Sequence, residues 1–324
     1  MTATPSKSTS DSAPHSTAIR LGIDLGGTKI EIIALDAKGD IRLRQRVPTP
    51  KHSYTAILQS LCDLVNQAEG ALGVQGCSVG IGIPGAVSKK TGRIKNANTT
   101  VLIGEALDRD LAETLKRPVK LENDANCFAL SEAMDGAAKH AKSVFGVILG
   151  TGVGGGLVFN QQLICGPNAI TGEWGHNPLP WPLSSDEPKQ DCYCGKQGCI
   201  ETYLSGPGMA AQAVLQNNSM LQVSSPLALP TIQPLTSYDI FSNTAKYKDI
   251  YLQYVDRLAR GLASVINVFD PECIVLGGGL SNVTSLYEDV PLVWGKYVFS
   301  DRVDTLLVKN QHGDSSGVRG AAWL

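Results

Sequence analysis

Residues 192 to 201 read Cys-Tyr-Cys-Gly-Lys-Gln-Gly-Cys-Ile-Glu, and a Gly-Glu-Trp-Gly-His run ends sixteen residues earlier, at His176. Three thiols (Cys192, Cys194, Cys199) and one imidazole (His176) are the ligand set of a closed, tetrahedral, structural zinc site. Two interleaved glycines let the loop fold tightly around an ion. A metal that fixes this loop also fixes the carboxylates of Glu173 and Glu201, so the cluster reads as scaffolding for a binding site.

A second kind of chemistry lies in three glycine turns at the ends of apolar strands: Asp24-Leu-Gly-Gly-Thr-Lys29, Gly150-Thr-Gly-Val-Gly-Gly-Gly156 and Gly277-Gly-Gly279. In the first, Gly26 and Gly27 allow positive φ and close backbone approach. Their amides, with Thr28, can then point at an anion, while Lys29 or Asp24 handles phosphate or hydrated Mg²⁺. Any one turn could be an ordinary hairpin, but three together point to a nucleotide. None has the Gly-Lys-Ser/Thr helix start of a Walker loop, and strands rather than a helix follow the second. The run Glu122-Asn123-Asp124-Ala125-Asn126 falls where a strand should end and a helix begin. Asn123 or Asp124 can cap that helix. An acid there can equally accept a proton from a substrate hydroxyl during phosphoryl transfer, with the neighbouring Asn bonding a sugar.

The elements that must position these residues follow from patterning. Strands are expected at Leu21 to Leu25, Ile30 to Leu35 and Ile41 to Val47, forming a meander, with a helix at Tyr54 to Glu69 where Ile57, Leu58, Leu61, Leu64, Val65 and Ala68 repeat at helical spacing. A strand at Ser78 to Ile83, a helix near Leu107 to Leu115, a strand at Val119 to Leu121 and a helix opening at Asn123 come next. The second half begins similarly: Val144 to Leu149, the glycine turn Gly150 to Gly156, Leu157 to Asn160, and Gln162 to Cys165. Later come a long helix, Ile250 to Phe269, a buried strand, Cys273 to Leu276, and a terminal helix within Asp314 to Leu324. This weak duplication predicts two related α/β lobes presenting glycine hairpins to a shared cleft. Ser219 to Thr236 reads as a surface insertion.

The whole composition agrees. A chain of 324 residues accommodates about two domains. A formal net charge of −2 supplies no basic field for nucleic acid or anionic membrane, which points to small-molecule partners. The eight cysteines lie in a chain too large to need disulfides and without a secretory signal, so a reducing cytoplasm is expected; Cys62, Cys77, Cys127, Cys165 and Cys273 read as small buried hydrophobes. Residues 1–18, rich in Ser, Thr, Ala and Pro, read as a disordered tail. The longest apolar stretch, Val144 to Phe159, is too short and glycine-broken to span a membrane.

Together the motifs resemble the ROK sugar kinases, a family named for repressors, open reading frames and kinases. The resemblance rests on Asp24 to Lys29, Gly82-Ile-Pro-Gly85, Asn123-Asp124, Gly150 to Gly156, Gly172-Glu-Trp-Gly-His176 and Cys192 to Glu201, six motifs in the family's order. It implies the α/β, two-lobed actin-like ATPase fold of sugar kinases and hexokinases, with lobes at 19–130 and 131–324 and a last helix packing back on the first lobe. It also implies that Asp124 is the general base and that Asn123, Glu173, His176 and Glu201 hold a hexose. ATP with Mg²⁺ would lie on Asp24, Gly26, Gly27, Thr28, Lys29, Gly150, Thr151, Gly152, Gly154, Gly277, Gly278 and Gly279. His176, Cys192, Cys194 and Cys199 would hold structural Zn²⁺, and a homodimer is compatible with the resemblance. Lys95-Asn-Ala-Asn98, Glu173 to Trp181, Cys192 to Glu201 and His312 to Gly320 look most like the bacterial fructokinase branch, which makes D-fructose the expected sugar. Gly150 to Leu157 and Ala169 to Gly172 are closer to N-acetylglucosamine kinases, the alternative. A sugar-sensing repressor of the same family would carry a DNA-reading winged helix ahead of the first glycine turn, which here starts at Asp24.

Overall fold

A computed structural model describes residues 19–97, 99–220 and 235–324. The expected tail at 1–18, Asn98, and all but the ends of the expected insertion at 219–236 lie outside the described residues. In the first half, β1 (Arg20–Leu25), β2 (Lys29–Leu35) and β3 (Ile41–Pro48) form an antiparallel meander, followed by α1 (Tyr54–Leu72) and β4 (Ser78–Ile83). The short ladder of β5 (Ala86–Val87) and β6 (Ile94–Lys95), then α2 (Leu107–Leu115), β7 (Val119–Asn123) and α3 (Asp124–Met134), complete that half. The second half has β8 (Ser143–Leu149), β9 (Val153–Phe159), β10 (Gln162–Leu163), α4 (Glu201–Leu204), α5 (Gly206–Met220), α6 (Ser237–Ser242), α7 (Lys248–Phe269), β11 (Cys273–Gly277), α8 (Leu286–Trp294), β12 (Leu306–Lys309) and α9 (Ser316–Ala322).

The two five-stranded sheets have matching orders, β3-β2-β1-β4-β7 and β10-β9-β8-β11-β12. In each, the first strand pairs antiparallel with the strand that follows it and parallel with the strand on its other side. In β1, Leu21, Ile23 and Leu25 share one face and are fully buried, while Gly22 on the other face lies against α9. Ser53 caps α1 by accepting the Ala56 N–H, and Gly73, at φ 66°, closes it in the left-handed conformation. Between those caps, Ile57, Leu61, Leu64, Val65 and Ala68 face the first sheet's core.

Two short segments connect the halves. α3 packs against β8 and β9, and α9 packs on α3, β1 and β4. Glycines make this contact possible: a Cβ at Gly146 or Gly156 would lie 2.6 or 2.8 Å from the Ala129 side chain of α3. The run expected as a turn from Gly150 to Gly156 is therefore a turn only at its start. Gly154, Gly155 and Gly156 belong to β9, where the missing side chains admit α3 and the Gly172 loop.

Candidate active site

The carboxylates predicted from sequence meet where the first sheet's strand ends face α3. Asn123 is the N-cap of α3, its Oδ1 accepting the Ala125 N–H at 2.9 Å while its Nδ2 donates to the Gly85 carbonyl at 3.2 Å. This second bond explains the Gly82-Ile-Pro-Gly85 run, since the chain at Gly85 passes so close to Ala97 and Lys95 that a Cβ would lie 2.9 Å from the Lys95 carbonyl oxygen. Asp124 is the first helical residue, and its Oδ1 also accepts the Ala125 N–H, at 2.8 Å. Capping and a free acid are thus not alternatives: Asn123 serves as the cap and Asp124 presents a carboxylate.

The Asp124 side chain is solvent-accessible, yet the surrounding protein still desolvates it and raises its carboxyl above the ordinary range. The Ala125 N–H and Asn123 oppose that rise, and the negative charge of Glu173 adds to it. An acid that is both reachable and crowded lies on the floor of a concavity. Burial likewise pushes Asp24, at the end of β1, up to about 6, with Asp124 and Glu31 adding to the rise and Lys29 opposing it. Asp124 therefore lies within electrostatic reach of both Asp24 and Glu173. Glu201, at the start of α4, joins from the other side, its Oε2 accepting the Val153 N–H at 2.9 Å beside Gly152.

The three glycine turns serve different purposes. Neither Gly26 nor Gly27 uses the positive φ open to glycine; Gly26 serves close backbone approach, since a Cβ there would lie 2.9 Å from the Lys29 carbonyl oxygen it faces across the turn. Gly27, Thr28 and Lys29 are exposed. Gly150 and Thr151 of the second turn and Gly279 of the third line one cavity of about 900 Å³. Its wall is completed by Gly206, Tyr238, Phe241 and Ser285, residues that sequence reasoning did not single out. At Gly206 the start of α5 meets the second turn: the Gly206 N–H donates to the Gly150 carbonyl, Pro207 has no N–H, and Ser205 accepts the Gly208 N–H. Gly277 lies inside β11, buried against Phe128, and Gly154 lies in β9 against Ala125, so packing explains the missing side chain at both. Gly278 does carry φ 77°, with a would-be Cβ 2.4 Å from the Leu149 carbonyl oxygen.

His176, Cys192, Cys194 and Cys199 come together with their ligand atoms all within 4.8 Å of one another. Cys192 Sγ is 3.5 Å from His176 Nδ1, and the Sγ atoms of Cys194 and Cys199 are 3.6 Å apart. The edges of a tetrahedron built on zinc–ligand bonds of 2.0 to 2.3 Å are about 3.3 to 3.8 Å, so the donor set and its spacing fit Zn²⁺. His176 Nε2, on the other side of the ring, is 2.9 Å from the Tyr193 hydroxyl. Among the described residues, no helix is long and apolar enough to cross a membrane.

The sequence profile of the ROK family matches residues 20–324. An N-acetyl-D-glucosamine kinase of Shigella flexneri serotype 5b is 41% identical over 311 residues, covering 94% of this chain and 98% of that protein. The ROK hexokinase of Thermus thermophilus superposes with a TM-score of 0.79 at 30% identity, over 94% of this chain and 97% of the other. A ROK family glucokinase from Streptomyces griseus, solved with glucose and AMPPNP, gives 0.66 at 28% identity, over 94% and 98%. With these similarities spanning both sheets, the metal loop and the cleft between them, the chain belongs to the ROK family and has its actin-like sugar-kinase fold.

Proposed function

We propose that the protein is an ATP-dependent sugar kinase that phosphorylates the 6-hydroxyl of a hexose, and that the hexose is N-acetyl-D-glucosamine. The observation that carries the choice of sugar is the 41% identity, over nearly the full length of both chains, to an N-acetyl-D-glucosamine kinase. It displaces the fructose expected from short motifs. Asp124 accepts the proton of the sugar hydroxyl as its oxygen attacks the γ-phosphorus and ADP leaves; a carboxyl held above its ordinary value is a better base for that proton than a free one. Asn123, already fixed by Ala125 and Gly85, retains one amide N–H for a sugar hydroxyl. Glu201 retains Oε1, Glu173 faces the same cleft, and His176 offers Nε2.

The ATP phosphates would lie on the turns at Gly150 to Gly152 and Gly278–Gly279, with the nucleoside in the cavity that Gly150, Thr151 and Gly279 line. Mg²⁺ that arrives with ATP would be held on the Asp24 side and offset the triphosphate charge; the mutually repelling Asp24 and Asp124 carboxylates leave room for added positive charge. Zn²⁺ held by the three thiols and His176 would tie the loop that carries Glu173 and Glu201. A second reading, D-fructose, keeps one specific support: the Cys192 to Glu201 run of the fructokinase branch places Tyr193 on the sugar-facing nitrogen of His176.

The test is ADP release by purified protein with N-acetylglucosamine, fructose, mannose and glucose in turn. N-acetylglucosamine is expected to give the highest kcat/KM by at least about tenfold, or ~1.4 kcal/mol of transition-state discrimination. Fructose in first place would install the second reading, and no release with any sugar would remove the kinase assignment. Asp124→Asn should lower kcat by roughly 10² or more while sugar affinity, measured by calorimetry, changes little.

A further inference from the structure

Tyr193 sits between two of the four clustered donors, so its backbone is fixed by the loop, yet its side chain is 84% exposed. The ring meets His176 edge-to-face, with centroids 5.0 Å apart and planes at 90°, and its hydroxyl bonds His176 Nε2 at 2.9 Å. Glu173 lies three residues before His176 and Glu201 two after Cys199, on the segments that this contact joins. An exposed aromatic ring against an imidazole offers what a sugar uses: an apolar face for C–H groups and hydrogen-bonding partners at its edge.

Were Nδ1, which faces the Cys192 thiol, bound to Zn²⁺, the His176 ring would carry its N–H on Nε2. That N–H would then donate to the Tyr193 oxygen, the same bond a sugar hydroxyl would seek, while the phenol's own O–H stays available. The ring therefore stands where the sugar substituent nearest His176 must pass. Resting on the sugar-kinase reading, we propose that Tyr193 is a specificity-determining residue of the sugar site, a wall whose bulk limits the substituent a hexose can carry beside His176.

Two variants and one measurement on the intact protein test this. Tyr193→Phe keeps the wall and loses the hydroxyl; Tyr193→Gly removes the wall. The ratio of kcat/KM for N-acetylglucosamine to that for fructose should stay within about twofold of the parent in the Phe variant and rise at least about tenfold in the Gly variant. KM for ATP and zinc content should be unchanged in both. In the unaltered protein, acetylation of Tyr193 by N-acetylimidazole, followed by peptide mass spectrometry, should slow at least about fivefold with saturating sugar and hardly change with ATP alone. A parent ratio in the Gly variant, or sugar that leaves the acetylation rate unchanged, would overturn the proposal. Should the Gly variant fail to fold, the protection measurement decides alone. A parent that releases no ADP with any sugar is a different outcome, which removes the kinase reading itself.

Discussion

At the scale of single residues, burial works against the charge on two of the site's acids, Asp24 and Asp124. Burial pushes Asp24 up to about 6, against an ordinary value of 3.8, so folding favours its neutral form. The stabilising contribution of that proton is complete below about pH 4 and is lost as pH climbs through about 6, amounting at most to roughly 3 kcal/mol. Asp24→Asn imitates the neutral form. It should melt higher than the parent at pH 8 and together with it at pH 4, while losing activity. Equal melting temperatures at both pH values would show that Asp24 is relaxed in the folded protein. The motif runs made these acids legible in the sequence, because residue type and neighbours alone nominate Asp24, Asp124, Glu173 and Glu201. Tyr193 was passed over as the filler between two cysteines, because its significance depends on a contact with His176, seventeen positions away.

At the scale of elements, the segment between His176 and Cys192 is held from behind by α7. Asp186 accepts hydrogen bonds from Arg257 at 2.9 Å and from both terminal nitrogens of Arg260 at 2.8 and 3.0 Å. Arg260 also donates to the carbonyls of Pro180 and Trp181, and Arg257 to that of Ser185. All three charged side chains are at most 4% exposed. Removing one partner from such a buried set leaves uncompensated charge, so Asp186→Ala should cost about 3–5 kcal/mol in denaturant unfolding. In the folded fraction, KM for sugar should rise more than KM for ATP, since the segment that Asp186 anchors links His176 to Cys192. A loss below about 1 kcal/mol would mean the arginines find other partners. Nothing in the local sequence around Asp186 announces this clamp; it joins positions more than seventy residues apart. Where capping and periodicity are local, the sequence was readable: β4 and α2 have the expected bounds, and α1 starts where expected. It runs past Glu69 because Gly70 stays helical and the left-handed stop comes at Gly73. The helices α4, α5 and α8 went unread: Gly206-Pro-Gly imitates a turn, and Pro291 lies inside α8. The β9 glycines were taken for a turn because their reason, the approach of α3, lies outside the strand.

At the scale of the whole molecule, the last helix completes the sheet formed by the first strand. A Cβ at Gly22 of β1 would lie 2.2 Å from the Val318 carbonyl oxygen, and one at Gly80 of β4 would lie 1.9 Å from that of Ala321. A Cβ at Gly320 would be just as close to α3, 1.7 Å from the Cys127 carbonyl oxygen. Val318 and Ala322 bury Ile33 and Leu35, Arg319 donates to the Gly39 carbonyl and pairs with Asp135, and Arg20 lies over the Trp323 ring. Without α9 the inner face of the first sheet would expose Ile33, Leu35 and the backbone at Gly22 and Gly80, apolar surface a single sheet cannot cover alone. We therefore expect residues 19–130 expressed alone to remain unfolded, and a chain ending at residue 313 to lose its cooperative melt. The full chain should unfold in one calorimetric transition, because the lobe that begins the sequence is finished only by the helix that ends it. Two separable transitions, or a folded 19–130 fragment with dispersed amide resonances, would show instead that the lobes are independent and that α9 merely docks on a completed surface.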